Sequence, residues 1–232
     1  MVHGRGVRVL GIETSSERGT LSLVENGVAV VTESRTAAGK LSEHLIEMLG
    51  AAFAEAGWSK GSLDRIAAGV GPGSFTGIRV GLAFAEGIAL GLDRPLLGIG
   101  ALRAMCRGVP SERAGVRCAV VDARRNDVFF AVYDASGLER VAPRAVPRAE
   151  LALAAAEFAD PSTTWVGELK DEVESSQVLR SPLTDLPHAL CVALLGAELD
   201  PSDAPPRAAY VRPPDARRPD LPQSPLSLER KR

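Results

Sequence analysis

The chain has 232 residues, 45% of them apolar and 24% charged, with a formal net charge of −2. That length supports one large domain or two small lobes, and the near-balanced charge excludes a global attraction to nucleic acid. Cys106, Cys118 and Cys191 form no CxxC pair and no apolar stretch is long and uncharged enough to span a bilayer. The expectation is therefore a reducing cytoplasm, with no disulfide framework, zinc clip, signal peptide or membrane partner.

The β-branched run 7–12 predicts a buried strand. Alternation over 20–24, the turn pair Asn26-Gly27 and a return over 28–32 predict a three-stranded meander. At 41–56 the period changes. Leu41, Leu45, Met48, Leu49, Ala52, Phe53 and Ala56 fall on one helical stripe, with Ser42 as N-cap and Gly57 as C-terminal stop. A strand over 65–70, a tight connection over 71–76, a helix over 77–92, a strand over 95–99 and a helix over 101–107 follow. The order βββαβα is that of a ribonuclease-H-like lobe over 1–105.

A smaller lobe is expected over 106–200. It begins with strands at 117–121 and 128–133 joined by a turn at 123–127. A helix over 150–158, a strand over 163–166 and a helix over 186–199 complete it, the last helix packing back on the first lobe. From residue 201 the composition shifts, because eight of the sixteen prolines lie in the last 32 residues. Proline removes a backbone donor, so 201–232 is expected to be extended, with 219–232 disordered. From Arg207 onward this tail carries seven basic and three acidic residues, a balance open to RNA contact or to plain solvation.

The segment 69–81, GVGPGSFTGIRVG, holds five glycines. Gly71 and Gly73 permit positive φ around Pro72, and Ser74 or Thr76 can cap the helix that follows. Backbone N–H groups at such a helix start can hold phosphate. Gly77 is followed by Ile78 and Arg79, not by the GK[ST] of a Walker loop, and the GxGxxG spacing is also missed. A strand-to-helix turn and a phosphate site both remain open. Along the helix, Gly77, Gly81, Ala85 and Ala89 repeat every four residues, a small-residue stripe that lets another helix approach closely. The remaining faces are apolar apart from Arg79 and Glu86, which points to a partner protein or to full burial. No GxSxG element is present, and none of His3, His44 and His188 has a second histidine at i+4, so neither a peptidase nor a His-based metal site is expected.

These residues resemble the TsaB (YeaZ) family. IETSS at 12–16 is similar to its opening strand-turn, with Glu13 where the family usually has Asp. The stretch 69–91 resembles its most diagnostic segment. VDARRNDVFFAVY at 121–133 is similar to its second-lobe hairpin, and PRAAYVRPPDAR at 206–217 to its closing P-x-x-Y-x-R. Leu41 stands where the family often has His. The resemblance implies an α/β, actin-like and sugar-kinase-like (ribonuclease-H-like) two-lobe fold with mixed sheets and a shortened second lobe. It implies a non-catalytic scaffold in the complex that forms N6-threonylcarbamoyladenosine at position 37 of ANN-decoding tRNAs. That scaffold would dimerise with the catalytic paralogue TsaD in competition with a homodimer. The ATPase TsaE would join, and tRNA would be met through the complex. The helices at 41–56 and 77–91 would form the interface, giving Leu45, Met48, Leu49, Phe53, Gly77, Gly81, Ala85 and Ala89 as candidate contact residues. In actin-like ATPases the second hairpin turn is glycine-rich; here 122–127 has no glycine, and Arg124 and Arg125 either bind phosphate or pair with Asp122 or Asp127. Glu13, Thr14, Ser15 and Ser16 are candidates for a vestigial nucleotide site. No intrinsic cofactor is expected, with ATP entering only at the level of the complex. The alternative reading is a weakly active actin-like ATPase or kinase.

Overall fold

The computed structural model describes residues 6–36, 39–158, 160–169 and 178–211. Strands β1 (Arg8–Glu13), β2 (Arg18–Glu25) and β3 (Val28–Thr36) form the antiparallel meander. Asn26 and Gly27 turn it with φ of 54° and 75°, the positive pair that a two-residue hairpin with native twist requires. Helix α1 (Leu41–Ala56), strand β4 (Arg65–Gly71), helix α2 (Phe75–Leu92), strand β5 (Leu96–Gly100) and helix α3 (Ala101–Arg107) follow. The sheet order is β3-β2-β1-β4-β5, with β4 parallel to both β1 and β5.

A second sheet repeats the plan in shorter form. Strands β6 (Arg117–Asp122), β7 (Asp127–Tyr133) and β8 (Glu139–Pro147) make an antiparallel meander, and β9 (Thr164–Val166) lies parallel beside β6. Helix α4 (Leu151–Ala155) links β8 to β9, and helix α5 (Ala189–Glu198) closes the order.

Period-two alternation sorts the first sheet onto two cores. Leu10, Ile12, Leu21 and Leu23 face α1 and α2, meeting Leu45, Met48, Phe53, Ile78 and Leu82. Val9, Val24, Ala67 and Leu97 face α5 on the opposite side, against Val192, Ala193 and Leu195. Helix α5 approaches closely because Gly11 and Gly196 leave room; a Cβ on Gly11 would overlap the carbonyl oxygen of Ala189. Helix α3 joins the lobes, packing Leu102, Met105 and Cys106 against Ala119, Val121, Phe129 and Tyr133.

Several local expectations change. Ser42 does not cap α1; Lys40 holds the cap position with no side-chain hydrogen bond, and Ser42 is exposed inside the first turn. Gly57 does end the helix, at φ 63°, with its N–H bonded to Ala54 O. Helix α2 starts at Phe75, two residues early, because Ser74 Oγ accepts from Gly77 N–H at 3.2 Å. Strand β8 is absent from the sequence reading: Pro143 and Pro147 disguise it, yet an edge strand tolerates proline on its unpaired side. The helix expected over 150–158 is helical only at Leu151–Ala155, flanked by single 3-10 turns, and α5 begins after Pro187. The disorder expected for 219–232 lies outside the described residues.

Candidate functional site

Two places collect the predicted residues. The first is the end of β1 beneath the glycine-rich turn. Gly71 has φ +90° and Pro72 follows it through a cis peptide bond. The turn then folds directly onto 13–15. Ser74 N–H donates to Ser15 O at 2.7 Å, and Thr14 Oγ1 donates to Gly77 O at 2.8 Å. Gly69, Gly73, Gly77 and Gly81 each seat over this segment. An added Cβ would overlap the Glu13 carboxylate, Ser15 O, Thr14 O and Thr14 Oγ1 in turn. The glycines therefore serve the chain's own backbone approach.

The candidate nucleotide residues Glu13, Thr14 and Ser15 are brought together by this contact and buried by it, while Ser16 is partly exposed. Glu13 Oε1 accepts from Ser15 N–H at 2.5 Å, but Oε2 and Ser15 Oγ have no partner. Burial pushes the Glu13 carboxyl above the usual carboxylate range, against the pull of its bonds from Ser15 and Thr14. Residues 73–77 pack directly against the backbone of 14–15.

The second hairpin turn carries Arg124, Arg125 and Asn126 at φ 64°, 54° and 66°. Arg124 N–H donates to Asp122 Oδ1 at 3.0 Å, and its guanidinium lies 3.6 Å from Asp122 Oδ2. Asp122 N–H in turn donates to Glu168 Oε1 at 2.9 Å. Of the expected pairings, that of Arg124 with Asp122 is present. His44 sits on α1, and His188 caps α5 by accepting from Leu190 N–H at 3.2 Å. His3 lies outside the described residues.

The second place is the outer surface of α1 and α2, where the structure separates the residues named from sequence by burial. Leu45, Met48, Phe53, Gly77, Gly81, Ala85 and Ala89 are buried within the chain; of the eight, Leu49 alone is partly exposed. The stripe Gly77–Gly81–Ala85–Ala89 faces Thr14 and the sheet. The same helices turn other residues outward: Ile46 is 66% and Leu90 86% exposed. A groove of about 220 Å³ between the two helices is lined by Leu49, Phe53, Lys60, Leu63, Ile88 and Leu92. Gly87 and Gly91 border it, and a Cβ on either would meet nothing. By length and composition α2 could cross a bilayer; here its small-residue side is a core helix face. Sequence periodicity missed the outer set because α2 is apolar nearly all round.

Sequence reading also missed a cluster at the start of α2. Tyr210 arrives there from the C-terminal segment and accepts a hydrogen bond from Arg79 Nε at 3.0 Å, while the Arg79 guanidinium stacks 3.7 Å from the Phe75 ring centre. The segment PRAAYVR at 206–212 was the available signal, but nothing in it says where Tyr210 lands.

Residues 30–160 match the profile of the family described as TsaD: tRNA N6-adenosine threonylcarbamoyltransferase. The chain is 29% identical over 192 residues to the tRNA threonylcarbamoyladenosine biosynthesis protein TsaB of Escherichia coli (strain K12), spanning 79% of this chain and 83% of that protein. It is 32% identical over 127 residues to the protein of the same name from Haemophilus influenzae, spanning 54% of this chain and 53% of that one, about half its length. Among solved structures, an uncharacterized protein with similarity to peptidase YEAZ from Pseudomonas aeruginosa superimposes with a TM-score of 0.70 at 25% identity, covering 89% of this chain and all of that one. The strand orders and these likenesses bear out the actin-like, two-sheet fold expected from the sequence.

Proposed function

We propose, from the fact that this chain belongs to the TsaB (YeaZ) family, that it takes part in tRNA threonylcarbamoyladenosine biosynthesis as a non-catalytic subunit docking a catalytic paralogue of the TsaD kind. The observation that carries the docking role is the outer face of α1 and α2. Ile46 and Leu90 are exposed on these helices, which also line an apolar groove through Leu49, Phe53, Ile88 and Leu92, and exposed apolar surface of this kind marks an interface. Residues 30–160, which include both helices, match the profile that carries the catalytic relatives' name. Two chains sharing these two helices can pair like with like across a pseudo-twofold axis, so the same patch serves a heterodimer or a homodimer.

The non-catalytic role is supported at the end of β1. Gly73 and Gly77 pack their backbone onto Ser15 O and Thr14 O, Glu13 is buried, and the second hairpin turn at 122–127 has no glycine with which backbone could wrap a phosphate. ATP therefore enters at the level of the assembly, with an ATPase of the TsaE kind, and tRNA is met in the same assembly, in the cytoplasm.

The test is size-exclusion chromatography with light scattering, using the full chain with and without its cognate catalytic paralogue. Wild type is expected to shift to a one-to-one complex. Gly87→Arg, placed where there is open space, is expected to stay folded and to lose association. Association at wild-type strength in that variant would rule out this face.

A further inference from the structure

Helix α1 carries Glu43, Glu47 and Glu55 and no lysine or arginine over its sixteen residues. All three carboxylates are exposed, as is Glu86 on α2. Glu43 pairs with Lys40 at 3.8 Å, just before the helix. Glu47, Glu55 and Glu86 have no ion pair or side-chain hydrogen bond among the described residues.

Their placement runs against what a helix prefers by itself. Glu43 and Glu47 are one turn apart, an i,i+4 pair of like charge that destabilises a helix. Glu55 lies in the last turn of α1, where the carbonyl end of the helix dipole disfavours an anion and no basic residue offsets it. A solvated surface is served by interspersed signs; here one sign is gathered on the surface that carries the apolar groove.

The helical spacing puts these carboxylates at the edge of that surface. Ile88 and Glu86 stand about 100° to either side of Gly87. Ile88 lines the groove, so Glu86 borders the face on the opposite flank of α2. Leu49 and Phe53 line the groove from α1, and Glu47 and Glu55 stand about 120–160° round the helix from both. Nearby cations leave the negative sign in place. Lys60 lines the groove, Arg79 is engaged with Phe75 and Tyr210 at the other end of α2, and Asp93 and Arg94 beyond that helix are one charge of each sign.

That sign distinguishes the two occupants that the shared helices allow. A twofold pair of identical chains sets the patch against itself, acidic rim against acidic rim. Opposed like charge slows encounter and lowers affinity, whereas a complementary surface raises the encounter rate and excludes wrong partners. We propose that the acidic rim selects what docks here: a protein surface whose apolar ridge is flanked by lysine and arginine, carried by the catalytic paralogue, in preference to a second copy of this chain. The inference rests on the docking reading above and adds to it the sign of the partner's charge.

The test measures self-association of the full chain by sedimentation velocity and paralogue association by stopped-flow fluorescence. Each is run at about 0.1 M and about 1 M sodium chloride, between which the screening length falls from about 10 Å to about 3 Å. For wild type, paralogue association is expected to slow about tenfold at the higher salt, while self-association tightens. Glu47→Gln/Glu86→Gln neutralises two exposed positions while keeping side-chain shape. It is expected to slow paralogue association about threefold or more, to tighten self-association by a similar factor, and to flatten both salt responses. The single Glu86→Gln serves if the double variant melts below wild type. Paralogue association that is independent of salt, or that the folded glutamine variants leave at the wild-type rate, overturns the proposal. So does a wild-type homodimer tighter than the heterodimer. Gly87→Arg separates the two readings. Paralogue association that survives it refutes the docking face itself, whereas loss there with the glutamine variants unchanged refutes only selection by the acidic rim.

Discussion

His188 caps α5 with a ring nitrogen. Nδ1 accepts from Leu190 N–H, which requires the neutral imidazole. Burial, with Arg18 nearby, lowers its pKa to about 4 from the usual 6.5. The sign follows. Above pH 6.5 both folded and unfolded forms are neutral there; as pH falls from 6.5 toward 4 the unfolded chain takes up a proton that the folded chain refuses, so stability is lost across that window and no further below it. The loss between pH 7 and 5 is on the order of 1–2 kcal/mol. His188→Asn keeps a capping acceptor without titrating, so urea midpoints at the two pH values should fall less in the variant than in wild type. Equal falls would count against this account. Glu13 works in the opposite direction, since its raised pKa favours the folded state as pH drops toward the ordinary carboxylate value. At this scale the sequence was partly legible. Ser74 was readable as a cap because a cap is a matter of local spacing. Burial of the Glu13 carboxyl was not, because it depends on Gly69 of a different strand.

Helix α2 shows how one element carries two roles on two faces. Its inward glycines meet Thr14, while Gly87 and Gly91 meet nothing within van der Waals reach. Substitutions on the two faces should therefore separate. Gly81→Ala would drive a methyl into Thr14 Oγ1; overpacking of that kind costs about 1–3 kcal/mol, partly offset by the better helix propensity of alanine. A net loss of about 1–2 kcal/mol in denaturant unfolding is expected, with paralogue association retained by the folded fraction. Gly87→Arg should leave the unfolding midpoint near wild type and remove association. If Gly81→Ala proved neutral, the close approach to Thr14 would not be a constraint. The small-residue repeat at 77, 81, 85 and 89 was visible in the sequence, but its direction was not. A helix apolar on nearly every side has no preferred inward face until the sheet supplies one.

At the scale of the molecule, α3 joins the two sheets, and α5 and the C-terminal segment are tied to the first. Arg65 leaves β4 and its Nη1 donates to Gly196 O, Ala197 O and Leu199 O at 3.2, 3.3 and 2.9 Å, satisfying the open carbonyls at the end of α5. Arg65→Met keeps the apolar stem and removes those bonds, and should lower the unfolding free energy by about 1–3 kcal/mol in urea; an unchanged midpoint would show that water replaces the guanidinium at no cost. The element order of the first lobe was determined by the sequence alone: β-branched runs, the Asn26-Gly27 turn, the helical stripe at 41–56 and the stop at Gly57 act within a few residues of themselves. The family signature was equally local. Tertiary structure decided which side of α2 faces water, that residues 72–77 cover the end of β1, and that Tyr210 meets Arg79. Each of these rests on contacts between residues far apart in the chain, and periodicity reports which side chains share a face without saying what covers that face.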